Sequence, residues 1–437
     1  MTVDLLQTRL SNGLTVHLKE IHTAPLVSHW VWYRVGSRNE LPGRSGLSHW
    51  VEHMQFKGTP VFPASMLDKA ISREGGTWNA FTYLDWTAYY ETLPADKIDL
   101  GLRLEADRMV NSLYDPREVE SERTVILAER EGSENEPLFR LGEAVQSACF
   151  HTHPYRHEIV GYPADLKAFT REDLFAHYRQ YYNPANAVVT VAGDFEAEGM
   201  LARLEELYGE IPTGQRAAPE IPPEPAAQGE QRLEVQGPGK TAFLQVAYPA
   251  PPAAHPDFFA YSVLDSLLTG PSSLNMFGGG GVSNKTSRLY RLLVEKELAV
   301  SITGGLQATI DPFIYDSIAT VHPRSGAEQI LAVYDDEVKR LQDSPVPQAE
   351  IARAIKQARA LFAYGSENIT NQAFWLGYAE MFDRYAWFAE YLDHLTQVSA
   401  ADVQRVAQVY LRSEKRVVGV YVPNGEEVQT DAEEEGE

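Results

Sequence analysis

A stretch rich in proline, alanine and glutamate, residues 216–228, divides the chain into two nearly equal halves. Its four prolines lack backbone donors and favour extended backbone, so the stretch is typical of a linker. A chain of 437 residues is also too long for one ordinary hydrophobic core, and two domains are expected. We therefore predict an N-terminal domain over residues 1–214, a linker over 215–230 and a C-terminal domain over 231–425.

Each half carries strand and helix patterns in a similar order: strand, helix, strand, two helices and a late strand. The predicted strands are 14–19, 27–34, 87–93, 187–191, 241–248, 316–320 and 417–422. The predicted helices are 46–57, 95–112, 117–131, 170–182, 327–341 and 348–366. The shared order favours an internal duplication. The predicted class is α+β, with two homologous domains, each a mainly antiparallel sheet covered by helices.

The charge balance limits the partners that the chain can bind. Its formal net charge is −23, which repels nucleic acid and anionic membranes, so neither is expected as a partner. Residues 426–437 form an acidic tail that is expected to be disordered. No apolar run approaches the roughly 18 residues that span a bilayer. The first residues lack the pattern of a signal peptide, and a cytoplasmic protein is the simplest expectation.

Two other features indicate structural roles. The chain has one cysteine, Cys149, which excludes an internal disulfide and a cysteine-based zinc site; we interpret it as a buried thiol. A glycine-rich run, residues 277–286, superficially resembles a phosphate-binding loop that ends in Lys-Thr. Such a loop requires glycine directly before the lysine, and Asn284 stands there instead. We interpret the run as a flexible loop.

The segment from residue 46 to residue 57 predicts an amphipathic helix. Ser45 can cap its start and Gly58 can end it. Four apolar residues with helical spacing form one stripe: Leu47, Trp50, Val51 and Met54.

The polar face of this helix carries His49, Glu52 and His53 in the order His-x-x-Glu-His. At 100° per residue, the two histidines lie about 40° apart. Two imidazoles one turn apart can hold one Zn²⁺, and Glu52 lies where it can accept a proton from water on the metal. A surface helix with two solvated histidines is the structural alternative.

A catalytic zinc ion also needs a third protein ligand, and a second predicted helix supplies candidates. Asp115 is suited to cap that helix and Pro116 to occupy its first position. Glu122 and Glu129 are seven residues apart and share one face. A solvated acidic helix would show the same pattern.

From about residue 5 to residue 425, the chain resembles the inverzincin metallopeptidases, the family of pitrilysin, insulin-degrading enzyme and the mitochondrial processing peptidase. Residues 49–59, HWVEHMQFKGT, are similar to the family's zinc helix. Its third zinc ligand is a glutamate at the spacing of Glu129, and a supporting glutamate corresponds to Glu122. The resemblance therefore implies one Zn²⁺ per chain, held by His49, His53 and Glu129, with Glu52 as general base.

The resemblance also implies where a substrate binds. Residues 76–82, GTWNAFT, are similar to the family's edge strand beside the zinc. Peptide backbone is expected to add to that strand through Asn79, Ala80 and Phe81. The length and layout resemble a small subfamily that works as dimers enclosing a chamber, which implies a zinc-dependent endopeptidase acting on peptides or unfolded segments.

The second half departs from the family pattern. The subfamily has an arginine and a tyrosine that stabilise the transition state, and here Val294 and Val300 stand in their places. A related partner chain that supplies both residues is therefore expected, as in a heterodimer. Because some family members serve as non-catalytic core subunits, a scaffold role is the alternative function.

Overall fold

The computed structural model describes residues 5–216, 219–272 and 282–426, with the side chains of residues 65, 67 and 68 excepted. Half of the predicted glycine-rich loop, residues 277–281, and nearly all of the predicted tail lie outside these ranges. Within the described residues, no helix is long and apolar enough to cross a membrane.

In the described ranges, eleven strands form two sheets. The first contains β1 (Leu5–Arg9), β2 (Thr15–Glu20), β3 (Leu26–Tyr33), β4 (Thr77–Thr82), β5 (Thr87–Pro94) and β6 (Ala187–Gly193). The second contains β7 (Gln231–Gly237), β8 (Phe243–Ala250), β9 (Ala299–Leu306), β10 (Phe313–Val321) and β11 (Val417–Pro423).

The α-helices of the described chain, in order, are α1 (Leu47–Met54), α2 (Ala64–Arg73), α3 (Asp99–Asn111), α4 (Pro116–Asn135), α5 (Pro137–Cys149), α6 (Pro163–Ala168), α7 (Arg171–Tyr181), α8 (Ala197–Tyr208), α9 (Asp257–Leu268), α10 (Ala327–Asp343), α11 (Gln348–Tyr364), α12 (Ile369–Phe382), α13 (Tyr385–Ala389), α14 (Tyr391–Gln397) and α15 (Ala400–Tyr410).

The two sheets share one topology. The first has the order β1-β2-β6-β3-β5-β4 and the second β7-β11-β8-β10-β9. When β1 is left out and the strands of each sheet are ranked by their position in the chain, the two sheets have the same strand order. In both, the first matched strand pairs in parallel with the last, and the other neighbours are antiparallel. The predicted α+β class with two like domains is confirmed.

Two compact units contain these sheets, and neither unit is one continuous piece of chain. Unit 1 comprises the described residues of Met1–Ala128, His157–Ile221 and Ser366–Phe388. Unit 2 comprises those of Glu129–Arg156, Pro222–Gly365 and Ala389–Glu437. Each half of the sequence therefore contributes one segment to the unit that is formed mainly by the other half. The predicted division into contiguous domains at the linker does not include this exchange of segments.

In each unit, the exchanged segment packs a helix against the sheet. Helix α12 packs on β3 and β6 in unit 1, and α5 packs on β7, β8 and β11 in unit 2. Glycine permits close approach in both places. A Cβ atom at Gly377 of α12 would lie 2.1 Å from Nε1 of Trp32, and one at Gly419 of β11 would lie 2.4 Å from Cγ2 of Val145. Close packing of this kind leaves no space for a methyl group.

We expect Gly377→Ala to lower the free energy of unfolding by about 2 kcal/mol, because overpacking outweighs the better helix propensity of alanine. Chemical denaturation would measure the change. Gly199→Ala in α8 is the matched control, since its Cβ would meet no atom within 4 Å. Equal stability of the two variants would contradict close packing of α12 on β3.

Candidate metal centre

Helix α1 buries its apolar stripe and turns its other face toward the candidate site. All four stripe residues are at most 5% exposed: Leu47, Trp50, Val51 and Met54. The predicted cap at Ser45 is wrong, because the Ser45 hydroxyl donates to Asp165 Oδ2 (2.6 Å) instead. Gly46 precedes the helix with a φ of 88°, and the Glu40 carboxylate accepts the N–H groups of Gly46 (2.8 Å) and Ser48 (2.7 Å). A buried carboxylate thus satisfies N–H groups at the start of α1.

The second element of the site is α4, whose predicted start is confirmed. The helix begins at Pro116, and Asp115 Oδ1 accepts the N–H of Arg117 (2.8 Å). Ala128 is the last residue of α4 that belongs to unit 1, and Glu129 follows it in the same continuous helix. The geometry of α4 therefore sets the position of the Glu129 carboxylate.

The two helices bring three possible metal ligands together. One potential ligand atom from each of His49, His53 and Glu129 lies within 4.8 Å of the others. Among the described residues, no other group of three histidine, cysteine or acidic side chains meets this condition. The histidines are half-buried and Glu129 is exposed. Burial lowers the pKa of His49 to about 3, with the neighbouring His53 adding to the shift, so its imidazole is neutral at neutral pH.

Glu122 orients the second histidine. Its Oε1 atom lies 2.8 Å from His53 Nδ1, and Lys57 forms an ion pair with its other oxygen. Burial alone would raise the pKa of Glu122, but the contacts with His53 and Lys57 hold it below its usual value. With Nδ1–H donated to the carboxylate, His53 presents the lone pair of Nε2. This hydrogen-bonded imidazole is the arrangement that metal-binding histidines adopt.

Glu52 lies on the same helix, between the two histidines. Its side chain is 8% exposed, and its Oε2 atom accepts a hydrogen bond from Thr82 Oγ1 (2.6 Å). Thr82 ends β4, so this bond joins the helix to the edge of the first sheet. The sequence interpretation did not include Thr82, because no local pattern links two residues that are 30 positions apart.

The three residues predicted to bind substrate lie on β4, which forms an edge of the first sheet. Asn79 is exposed, Phe81 is half-buried and Ala80 is buried. The Asn79 side chain accepts the Ala80 N–H through Oδ1 at 2.8 Å. The strand therefore has the edge position that the prediction requires, while its role in binding stays a prediction.

In unit 2, the two valines that replace the subfamily's arginine and tyrosine lie in a π-helix and on an edge strand. Val294 ends the π-helix Tyr290–Val294, and Val300 on β9 is 55% exposed. The nearby Arg288 is engaged by Glu337 (2.7 Å) and Glu350 (3.0 Å). Arg288 is therefore held in an ion-pair network of its own unit.

The two halves of the chain match two family models. Residues 15–162 match the model described as insulinase (peptidase family M16), and residues 168–358 match the model described as the peptidase M16 inactive domain.

Curated relatives and solved structures match over nearly the whole chain. An uncharacterized zinc protease of Mycobacterium bovis is 27% identical over 96% of this chain and 93% of its own length. Zinc protease PqqE of Helicobacter pylori is 27% identical over 92% of this chain and 89% of its own. The crystal structure of a protease from Helicobacter pylori has a TM-score of 0.88 at 26% identity, covering 96% of this chain and 100% of its own. Similarity of sequence and of fold thus extends through both halves.

We expect the purified chain to hold about one zinc ion and His49→Ala to hold almost none, since all three protein ligands are needed to hold the ion. Glu129→Gln should also release the ion. Glu122→Gln, which leaves the ligands in place, should weaken binding about 10–100-fold. Elemental analysis and competition with a chelator would measure these effects. Glu131→Gln, an exposed change on the same helix, is the control, and unchanged zinc in His49→Ala would contradict the proposed ligand set.

Proposed function

Since the chain belongs to peptidase family M16, we propose that it is a zinc-dependent endopeptidase that hydrolyses peptides or unfolded segments. One observation carries the proposal: His49, His53 and Glu129 converge, with Glu52 on the same face of α1 as the histidines. Two imidazoles and one carboxylate suit Zn²⁺ and leave a coordination position open. The donor set therefore fits the metal that the relatives' names imply.

Each residue of the site has a separate chemical task. A zinc ion held there would supply a Lewis acid that polarises a carbonyl and makes water a better nucleophile. Glu52 accepts the proton of the attacking water and delivers it to the leaving amine. The hydrogen bond from Thr82 fixes one oxygen of Glu52 and so orients the carboxylate for that proton transfer. Glu122 holds the His53 ring in position.

The edge strand β4 supports peptides as the substrate class. An extended peptide can add to a free sheet edge by backbone hydrogen bonds, which recognise any sequence. In the proposed complex, the Ala80 N–H exchanges its bond with Asn79 for one with the substrate. Folded proteins lack a free extended segment, so peptides and unfolded chains fit this strand best.

We further propose that the chain is the zinc-bearing subunit of a heterodimer. The side chains of Val294 and Val300 cannot donate hydrogen bonds to a developing oxyanion, whereas those of arginine and tyrosine can. A related chain that carries those two residues would complete the active site and close the chamber. Because every residue of the proposed zinc site is present in this chain, the alternative role as a non-catalytic scaffold has less support.

Glu52→Gln should abolish peptide hydrolysis while zinc remains bound, because the amide cannot accept the proton of the attacking water. We expect a fall in kcat of at least about a thousandfold. A quenched fluorescent peptide would report activity and elemental analysis would report the metal. Retained activity at full zinc content would remove Glu52 from the role of general base.

Thr82→Val should lower kcat about tenfold and leave KM nearly unchanged, because Glu52 loses the bond that orients it. The change conserves shape, and Thr77→Val on the exposed face of the same strand is the control. If both variants match the wild type, the bond between Thr82 and Glu52 has no catalytic role.

The isolated chain should hydrolyse peptides weakly, and adding a homologous chain with the arginine and tyrosine should raise the rate at least about a hundredfold. Size-exclusion chromatography should then show a complex of one copy of each chain. Full activity of the isolated chain would contradict the heterodimer and leave the endopeptidase proposal intact.

A further inference from the structure

A buried ionic cluster lies beneath the edge strand β4. Arg108 of α3 is 1% exposed, and its Nε atom donates to Glu105 Oε2 at 2.8 Å. A second nitrogen, Nη2, also contacts Glu105 and lies 3.6 Å from Glu91 Oε1 on β5. Glu91 Oε2 in turn lies 3.2 Å from His29 Nδ1. None of these four side chains belongs to the proposed metal centre.

Burial shifts the pKa values of the other three groups in this cluster toward their neutral forms. Burial raises the pKa of Glu105 well above its usual value, in spite of the nearby Arg108 guanidinium. It also raises the pKa of Glu91, although the charge of Arg108 opposes that shift. Burial also lowers the pKa of His29 to about 4, so its ring is neutral at neutral pH.

A buried ion pair is a weak source of net stability, because desolvation offsets most of its attraction. The contacts of Arg108 with aromatic rings indicate instead that this pair positions neighbouring elements. The Arg108 guanidinium carbon lies 4.3 Å from the ring centre of Tyr89, 5.3 Å from that of Phe56 and 5.9 Å from that of Trp78. A cation over aromatic rings is attracted to each of them, most strongly where water is excluded.

These three rings come from three different elements. Phe56 follows the end of α1, Trp78 belongs to β4 and Tyr89 belongs to β5. The rings of Phe56 and Trp78 also contact each other edge to face, with centroids 4.9 Å apart. One guanidinium therefore holds the end of the proposed catalytic helix, the edge strand and its neighbouring strand together.

Trp78 and Thr82 lie on the same face of β4, because they are an even number of residues apart. Thr82 meets α1 at Glu52, and Trp78 meets Phe56, the second residue after the end of α1. Two contacts thus fix β4 against the helix, and Arg108 supports the second. Asn79 and Phe81 alternate to the other face.

We propose that Arg108 is a positioning residue for peptide binding: it locks the edge strand β4 to α1, so that a peptide paired with the strand meets the metal ligands and Glu52. This proposal rests on the proposed peptidase function. The ligand class is an extended peptide long enough to pair along several residues of β4. Glu91 and Glu105 hold the guanidinium in its plane.

Arg108→Lys tests the proposal, because lysine keeps the charge but lacks the planar group that stacks on rings. In the complex that supports activity, KM for a ten-residue peptide should rise about tenfold, while zinc content is unchanged and kcat changes less than threefold. Phe56→Leu, which removes one ring of the stack, should shift KM in the same direction, and it serves if the lysine variant does not fold. Gly377→Ala is the matched control: it destabilises unit 1 elsewhere and should leave KM unchanged.

Hydrogen exchange followed by mass spectrometry provides a readout that needs no activity. Amides of residues 77–82 should exchange at least about tenfold faster in Arg108→Lys than in the wild type, while those of β2, which carries no residue of the cluster, stay the same. Unchanged exchange in β4, or an unchanged KM, would overturn the proposal. If the wild-type complex hydrolyses no peptide, the proposed peptidase function is wrong. The inference that Arg108 positions a bound peptide is then wrong as well, even if exchange in β4 is faster in Arg108→Lys.

Discussion

The seating of α1 on the first sheet is the constraint on which the candidate site depends. The helix has only eight residues, too few to be stable alone in water. Its apolar stripe must be buried, and that requirement directs His49, Glu52 and His53 to the opposite side. The Glu40 carboxylate holds its start, and the Thr82 hydroxyl holds its middle. The packing of the apolar face of α1 therefore determines where these three polar side chains lie.

Polar contacts also hold His53 of that helix in position. His53 is held by Glu122, and Glu122 is held in turn by Lys57, which lies beyond the end of α1. Each of these bonds restricts side-chain rotation before metal binds. Without the bonds, the ligand side chain would lose that freedom when it binds the metal. A site prepared in this way binds an ion with less loss of conformational entropy than a set of mobile side chains would.

Local periodicity carried much of the information about the fold. It predicted α1, α4 and the α+β class, because amphipathic helices and alternating strands leave a regular pattern. It did not predict α12, in which 11 of the 14 residues are buried, so no polar face reveals the helical period. The sequence analysis also assigned the helix cap to the adjacent Ser45, whereas the N–H groups at the start of α1 are satisfied by Glu40, six residues before Gly46. Contacts between distant residues, such as that of Thr82 with Glu52, leave no local pattern.

The exchange of helices between the two halves has a consequence for the genetics of the chain. A polypeptide that ended at the linker would build the first sheet without α12, and Trp32 would lie against water where Gly377 now packs. The second half, made separately, would likewise lack α5 above Gly419. A gene split at the linker would therefore encode two halves that each lack one helix of their own unit. A single chain that contains both halves supplies each unit with that helix.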